Sequence, residues 1–256
     1  MCPELGLRKG LSPLKFKVVA CDIMRSEVEE IAPQSPHELD LTFLTREGYH
    51  NEPDKNRPLL QEQIDAVPEG YDAILLGFAF CNRLLDGIQA RHTQLIVPRG
   101  HDCITFFMGS RQRYREFFDT HPGTYYYTRG WLERRDGKQL NQMSEEVSGI
   151  GNTDYDELVE KYGEDNAQYL TSFFDKWQEN YTNGVLIQFP FAEKLNLREQ
   201  VKEICYTNAW KYDEMAGDLG LLTRWLKGEW NDDFLIVPPG YTIKAAYDET
   251  IMKLSC

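Results

Sequence analysis

The sequence contains no Cys-x-x-Cys pair, although it has six cysteines, at positions 2, 21, 81, 103, 205 and 256. Zinc ribbons and thioredoxin-like redox motifs hold two sulfurs on one tight turn, so this spacing disfavours both. A glycine-rich phosphate loop of the G-x-G-x-x-G or P-loop type is missing, as is a G-x-S-x-G elbow. Nucleotide cofactors and serine hydrolysis therefore have no motif to rest on. Basic residues are few: 28 Lys and Arg stand against 41 Asp and Glu, a net charge of -13. Counterion release from nucleic acid needs a basic surface, which excludes that class of partner. No apolar run approaches the roughly 18 residues that span a bilayer, and the opening "MCPELGLRKG" has no apolar signal core. These absences set the expectation of a cytoplasmic protein without a membrane partner, whose cysteines serve as thiols, ligands or nucleophiles.

What is present is an alternation of strands and helices. "LKFKVVACDIM" (14–24) reads as a strand followed by a short helix, "RSEVEEIA", opened by Ser26. "LDLTFL" (39–44) is a second strand, and "NRPLLQEQIDAV" (56–67) a helix with Pro58 in its first turn. "YDAILLGFAF" (71–80) and "LIVP" (95–98) are nearly continuous apolar runs, as strands buried on both faces require. This pattern predicts an α/β fold: a doubly wound, mainly parallel, Rossmann-like sheet.

Further on, "CITFFMGSRQRYREFFDTH" (103–121) reads as one helix, "TYYYT" (124–128) as a strand, and 154–181 as a long helical insertion with a solvated acidic face. "GVLIQFP" (184–190) is a strand, "AEKLNLREQVKEI" and "EMAGDLGLLTRWLKGEW" are helices, and "DFLIVPPG" (233–240) is the last strand. We divide the chain into an α/β lobe over 1–134 and a second α/β lobe over 135–256. "LIVPRG" at 95–100 and "LIVPPG" at 235–240 echo one another, but their flanks do not, so no repeat is assigned.

Three of the cysteines occupy equivalent places. Cys21 follows "FKVVA", Cys81 follows "ILLGFAF" and Cys103 follows "LIVPRGHD". Carboxyl ends of parallel strands share one edge of a sheet, where open α/β proteins bind ligands. Three thiolates gathered there would form a soft metal site, suited to an iron–sulfur cluster or to Zn2+. His101, His50, water or substrate would complete the coordination. In "HDC", His101 and Cys103 are spaced to share a metal from an extended loop. Asp102 would orient His101 or, the stronger expectation, cap the following helix. Isolated buried cysteines also occur as ordinary packing. Cys205 lies in a helical stretch, and Cys2 and Cys256 lie near the ends of the sequence. The arginines 111, 113 and 115 read as a solvated helix face, and "PGTYYYTRGW" reads as aromatic packing.

The segments "ILLGFAFCNRLLDGI", "LIVPRGHDCITFFMGSRQRYREFF", "PGTYYYTRGWLE" and "DFLIVPPG" together resemble the bacterial and archaeal family known as domain of unknown function 1638. The resemblance runs from Cys21 to the final strand and includes Cys81, His101 and Cys103. It departs from the family pattern at Phe80 and Asn82, where members carry glycine beside the cysteine. It implies a cytoplasmic protein of anaerobes linked to corrinoid-dependent methyltransferase systems.

Three expectations follow. The first is a metalloprotein with a [4Fe-4S] cluster on Cys21, Cys81 and Cys103, one iron open to a small-molecule substrate and His101 and Asp102 as catalytic groups. This ligand logic is similar to that of quinolinate synthase. The second is a zinc-thiolate enzyme transferring methyl groups from a corrinoid protein, using His101 and Cys103 with Cys81 or Cys21. The third is a non-catalytic accessory protein that delivers cofactor to a corrinoid methyltransferase.

Overall fold

The computed structural model describes residues 12–45, 53–133, 159–160, 163–168, 180–193 and 195–255. The boundary placed at 134/135, His50, Cys2, Cys256 and most of the insertion at 154–181 lie outside these residues.

In chain order the strands are β1 (Lys15–Cys21), β2 (Glu38–Leu44), β3 (Ala73–Gly77), β4 (Leu95–Pro98), β5 (Thr124–Tyr127), β6 (Asn183–Gln188), β7 (Lys211–Ala216), β8 (Phe234–Val237), β9 (Thr242–Ala245) and β10 (Met252–Ser255). The principal helices are α1 (Arg25–Ile31), α2 (Pro53–Asp65), α3 (Ile104–Met108), α4 (Arg111–Thr120), α5 (Arg129–Leu132), α6 (Leu197–Thr207) and α7 (Gly220–Leu226). No helix of the described residues is long and apolar enough to cross a membrane.

The central sheet has the order β2-β1-β3-β4-β8. Its first three pairings are parallel and β4–β8 is antiparallel. The fold is thus mixed α/β with a mostly parallel sheet. Its 2-1-3-4 order differs from the 3-2-1-4 order of dinucleotide-binding Rossmann sheets and corrects that part of the expectation. Alternate residues of β1 enter two separate cores. Phe16, Val18 and Ala20 pack with Val28 and Ile31 of α1 and Trp225 of α7, while Val19 packs with Leu60 and Ile64 of α2. Helices cover both faces, which is why the strands read as unbroken apolar runs.

The echoing "LIV" segments turn out to be neighbours, paired Leu95 to Val237 and Val97 to Leu235. A second, three-stranded sheet, β5-β6-β7, is parallel throughout. Helix α6 buries Leu197, Val201 and Cys205 in the core beside it. Strands β9 and β10 form an antiparallel pair.

Two expectations about elements are corrected. "EMA", read as the start of a helix, ends strand β7. The single helix over 103–121 is broken into α3 and α4 at Gly109, whose φ of 76° lies in the left-handed region, where glycine carries no Cβ penalty. Ser110 restarts the helix by accepting the Arg113 N–H at 3.0 Å, as an N-cap does.

Candidate functional site

Sheet order decides where a ligand can enter. From β1 the chain crosses to β2 on one side and then to β3 on the other, so the loops after β1 and β3 diverge and leave a crevice at the strand ends. Cys21 closes β1. Cys81 begins the turn after β3, and Cys103 immediately precedes α3 after β4. All three line one cavity of about 350 Å³, within the range of small-molecule sites. The three sequence-predicted thiols are therefore brought together on one cavity.

The loops that carry them are tied down. Phe80 N–H donates to Gly100 O at 2.8 Å, joining the turns after β3 and β4. Arg83 adopts a φ of 64°, and Arg57 from α2 donates to the carbonyls of Arg83 and Leu84 at 3.1 and 3.2 Å. Such clamping holds an uncommon left-handed residue two positions after Cys81, a placement typical of functional loops.

Asp102 is the one carboxylate lining the cavity among the described residues. Its Oδ1 accepts the Ile104 N–H at 3.0 Å, bonding the first turn of α3, and its Oδ2 accepts the Tyr114 hydroxyl at 2.7 Å. The expected capping role is observed. Burial raises its proton affinity, while the bonds from Tyr114 and the helix amides oppose the shift. The break at Gly109 separates the short helix carrying this cap from the helix that carries Tyr114.

The Cys81 thiol is pushed up to about 12 by burial, then by the charges of Asp102 and Cys21, with the Cys103 amide acting in the opposite direction. Burial and the nearby Asp102 carboxylate thus favour the thiol over the thiolate at Cys81. Among the described residues, no three His, Cys, Asp or Glu side chains are gathered as around a single metal ion. His101 is exposed and does not line the cavity. Cys205 is buried on α6, with Gly184 O at 3.9 Å from its sulfur, in the core of the second sheet rather than on the cavity. The three arginines of α4 also lie off the cavity. Arg111 reaches Glu249 O and Asp233, Arg113 reaches Met108 O and Ala216 O, and Arg115 pairs with Glu249.

The opposite wall was not anticipated. Tyr125 and Tyr126 of β5, Trp131 of α5, Tyr181, and Tyr114 and Phe118 of α4 line it. The rings meet edge to face or tilted: Tyr114 to Tyr126 at 6.0 Å, and Tyr125 to Tyr181 at 5.2 Å. Tyr126 Oη is buried with no hydrogen-bond partner among the described residues, and burial with the Asp102 charge pushes its hydroxyl up to about 12. The "PGTYYYTRGW" segment was the available signal, since a turn followed by consecutive aromatics puts rings on both faces of a strand.

Two groups fix this wall against the central sheet. A Cβ at Gly130 would stand 1.8 Å from Ile23 O, so α5 rests on the turn after Cys21 at backbone distance. Beneath that contact, Glu27 of α1 is 0% exposed. Its Oε2 accepts from Ser26 Oγ at 3.0 Å, whereas Oε1 has no partner among the described residues. Burial pushes the carboxyl to about 7, against the lowering effects of the backbone, Ser26 and Arg129, with Glu133 adding a small further rise.

Comparison with known proteins returned no match to a curated protein and none to a solved structure. A family described as "Protein of unknown function (DUF1638)" matches residues 44–226. This span includes Cys81, His101, Asp102 and Cys103. It excludes Cys21 and β8, so the family match is shorter than the resemblance read from the sequence. With most of its length matched, the chain belongs to the DUF1638 family.

Proposed function

We propose that the chain is a metalloprotein in which Cys21, Cys81 and Cys103 hold a [4Fe-4S] cluster at the strand ends, leaving one iron for a small substrate. The observation that carries this reading is the shared cavity, lined by thiols from three separate strand ends together with Asp102. Each thiolate of a cluster binds its own iron. A cluster therefore asks for thiols distributed around one cavity rather than for three sulfurs on a single ion, and it is with that looser requirement that the shared lining agrees. The donor set fits in a second respect: Cys81 lies near the Asp102 carboxylate and the Cys21 thiol and is helped by the Cys103 amide, an arrangement that a cationic iron centre would relieve.

When bound, such a centre supplies Lewis acidity at its open iron. The chain itself supplies the proton chemistry. Asp102, with its proton affinity raised by burial and its orientation set by Tyr114 and α3, is placed to give or take a proton at the cavity wall. His101, exposed and outside the cavity lining, neighbours Asp102 in the chain without reaching the cavity itself. A role in anaerobic one-carbon or corrinoid-linked metabolism rests on the family resemblance alone.

The test is anaerobic reconstitution of the full chain with ferrous iron and sulfide, followed by visible absorption and elemental analysis. We expect the charge-transfer band of a cluster in the wild type and its absence after joint substitution of Cys21, Cys81 and Cys103 by Ser. Stoichiometric zinc held by the same cysteines would assign the site to the zinc alternative, and protein that takes up neither metal would remove the metalloprotein reading.

A further inference from the structure

The walls of the cavity carry information about what enters it that is independent of the thiols. Aromatic side chains from four chain segments face the cavity: Tyr114 and Phe118 from α4, Tyr125 and Tyr126 from β5, Trp131 from α5, and Tyr181 before β6. The ring faces are electron-rich and attract a cation at close range. Asp102 is the charged side chain on the lining, and no Lys, Arg or His lines the cavity among the described residues. An anion entering here would meet a carboxylate and ring faces without a compensating donor of positive charge. A neutral molecule would gain burial alone.

Tyr126 Oη adds a second pointer. It is buried and without a hydrogen-bond partner among the described residues, so a residue of the lining keeps an unmet acceptor that a small shift of the ring would offer to a polarised N–H or C–H of a ligand. Phe118, 56% exposed, stands on the solvent side of the cavity and puts an aromatic surface where a ligand arrives.

We infer that the cavity selects a small organic cation, an ammonium bearing alkyl groups, over neutral and anionic molecules of the same shape. Rings that pack edge to face, as Tyr114 does with Tyr126 and Tyr125 with Tyr181, are not stacked in parallel as the walls of a slot for a flat ligand would be, and so favour a rounded cation. A strongly hydrated small ion would gain too little from them to offset its lost water; alkyl groups on nitrogen reduce that loss and add apolar contact.

This inference deepens the proposed function by naming the substrate class of the same cavity, but it rests on the walls and not on the cluster. The test is calorimetric titration of the full chain, before and after iron–sulfide reconstitution, with three probes of matched shape: choline, its uncharged isostere 3,3-dimethylbutan-1-ol, and 3,3-dimethylbutanoate. We expect choline to bind at least about tenfold more tightly than the alcohol, and the carboxylate to bind weakest. Trp131→Leu and Asp102→Asn should each reduce the preference for choline over the alcohol. Tyr126→Phe, which removes one oxygen and keeps the ring, should weaken choline by a smaller factor and leave the alcohol unchanged. Equal affinity for choline and the alcohol, preference for the anion, or no binding of choline overturns the inference. Cation selectivity in a chain that takes up no iron would sink the cluster alone, and a loaded cluster without cation selectivity would sink this inference alone.

Discussion

The five-stranded and three-stranded sheets present different parts of themselves to the same cavity. The five-stranded sheet contributes its carboxyl edge: Cys21, Cys81, Asp102 and Cys103 all sit at or just past the ends of strands. The three-stranded sheet contributes residues of β5 itself, with Tyr125 and Tyr126 as part of an aromatic wall. The contrast extends to their cysteines. Cys205 is as much a thiol as Cys81, and burial raises both. Yet Cys205 has a carbonyl oxygen near its sulfur in a closed core, whereas Cys81 has a backbone amide, a carboxylate and another cysteine around it on an open cavity. Placement at a strand end rather than on helix α6, not residue type, separates the cysteines that line the cavity from the one that does not.

The sharpest way to break this contrast is to remove the edge thiols. Joint replacement of Cys21, Cys81 and Cys103 by Ser should abolish iron uptake while the far-ultraviolet circular dichroism spectrum stays that of the folded chain; retained iron would mean that the edge is not the site. The joint between the sheets comes next. Gly130→Ala would force a methyl group into the Ile23 carbonyl, and we expect a loss of about 3 kcal/mol or more in urea unfolding, since backbone cannot yield as a side chain can. An unchanged midpoint would show that α5 can shift off the Cys21 turn.

A smaller effect concerns Glu27. Its carboxyl is raised from an ordinary 4.5 to about 7, so the folded chain holds a proton that the unfolded chain releases across this interval. Its contribution to stability is complete below about pH 4.5 and fades as pH rises through 7. Glu27→Gln should therefore be more stable than wild type above pH 7 by about 2–3 kcal/mol, with the two curves converging at low pH. Parallel curves would show that the buried carboxyl is solvated. The smallest expected change is Cys205→Ser, which puts a hydroxyl in an apolar core at a loss of about 1–2 kcal/mol and leaves iron uptake untouched.

Much of the central sheet was legible in the sequence because helices cover it on both faces, which leaves apolar runs at β1, β3, β4 and β8. That Cys21, Cys81 and Cys103 line one cavity was legible for the same reason, since carboxyl ends of adjacent parallel strands share an edge. Strand β7 was not, because "KYDEMA" is mostly polar, with only Tyr212 and Met215 partly buried, and its residues form helices readily. The Gly109 break was hidden by the apolar and aromatic residues on both sides of it. The aromatic wall depends on a second sheet being brought against the first, which local periodicity does not encode. Glu27 left a trace: it falls on the Met24, Val28 and Ile31 stripe of helical spacing, a buried position filled by an acid.

The central claim is that thiols from three strand ends hold one cluster in a common cavity. Mössbauer spectroscopy with iron and sulfide analysis, on the full chain reconstituted anaerobically, tests it most directly. We expect about four irons per chain, one distinguishable from the other three, and none in the triple Cys→Ser variant. A wild-type chain that retains no iron, or four equivalent irons indifferent to those substitutions, would contradict it.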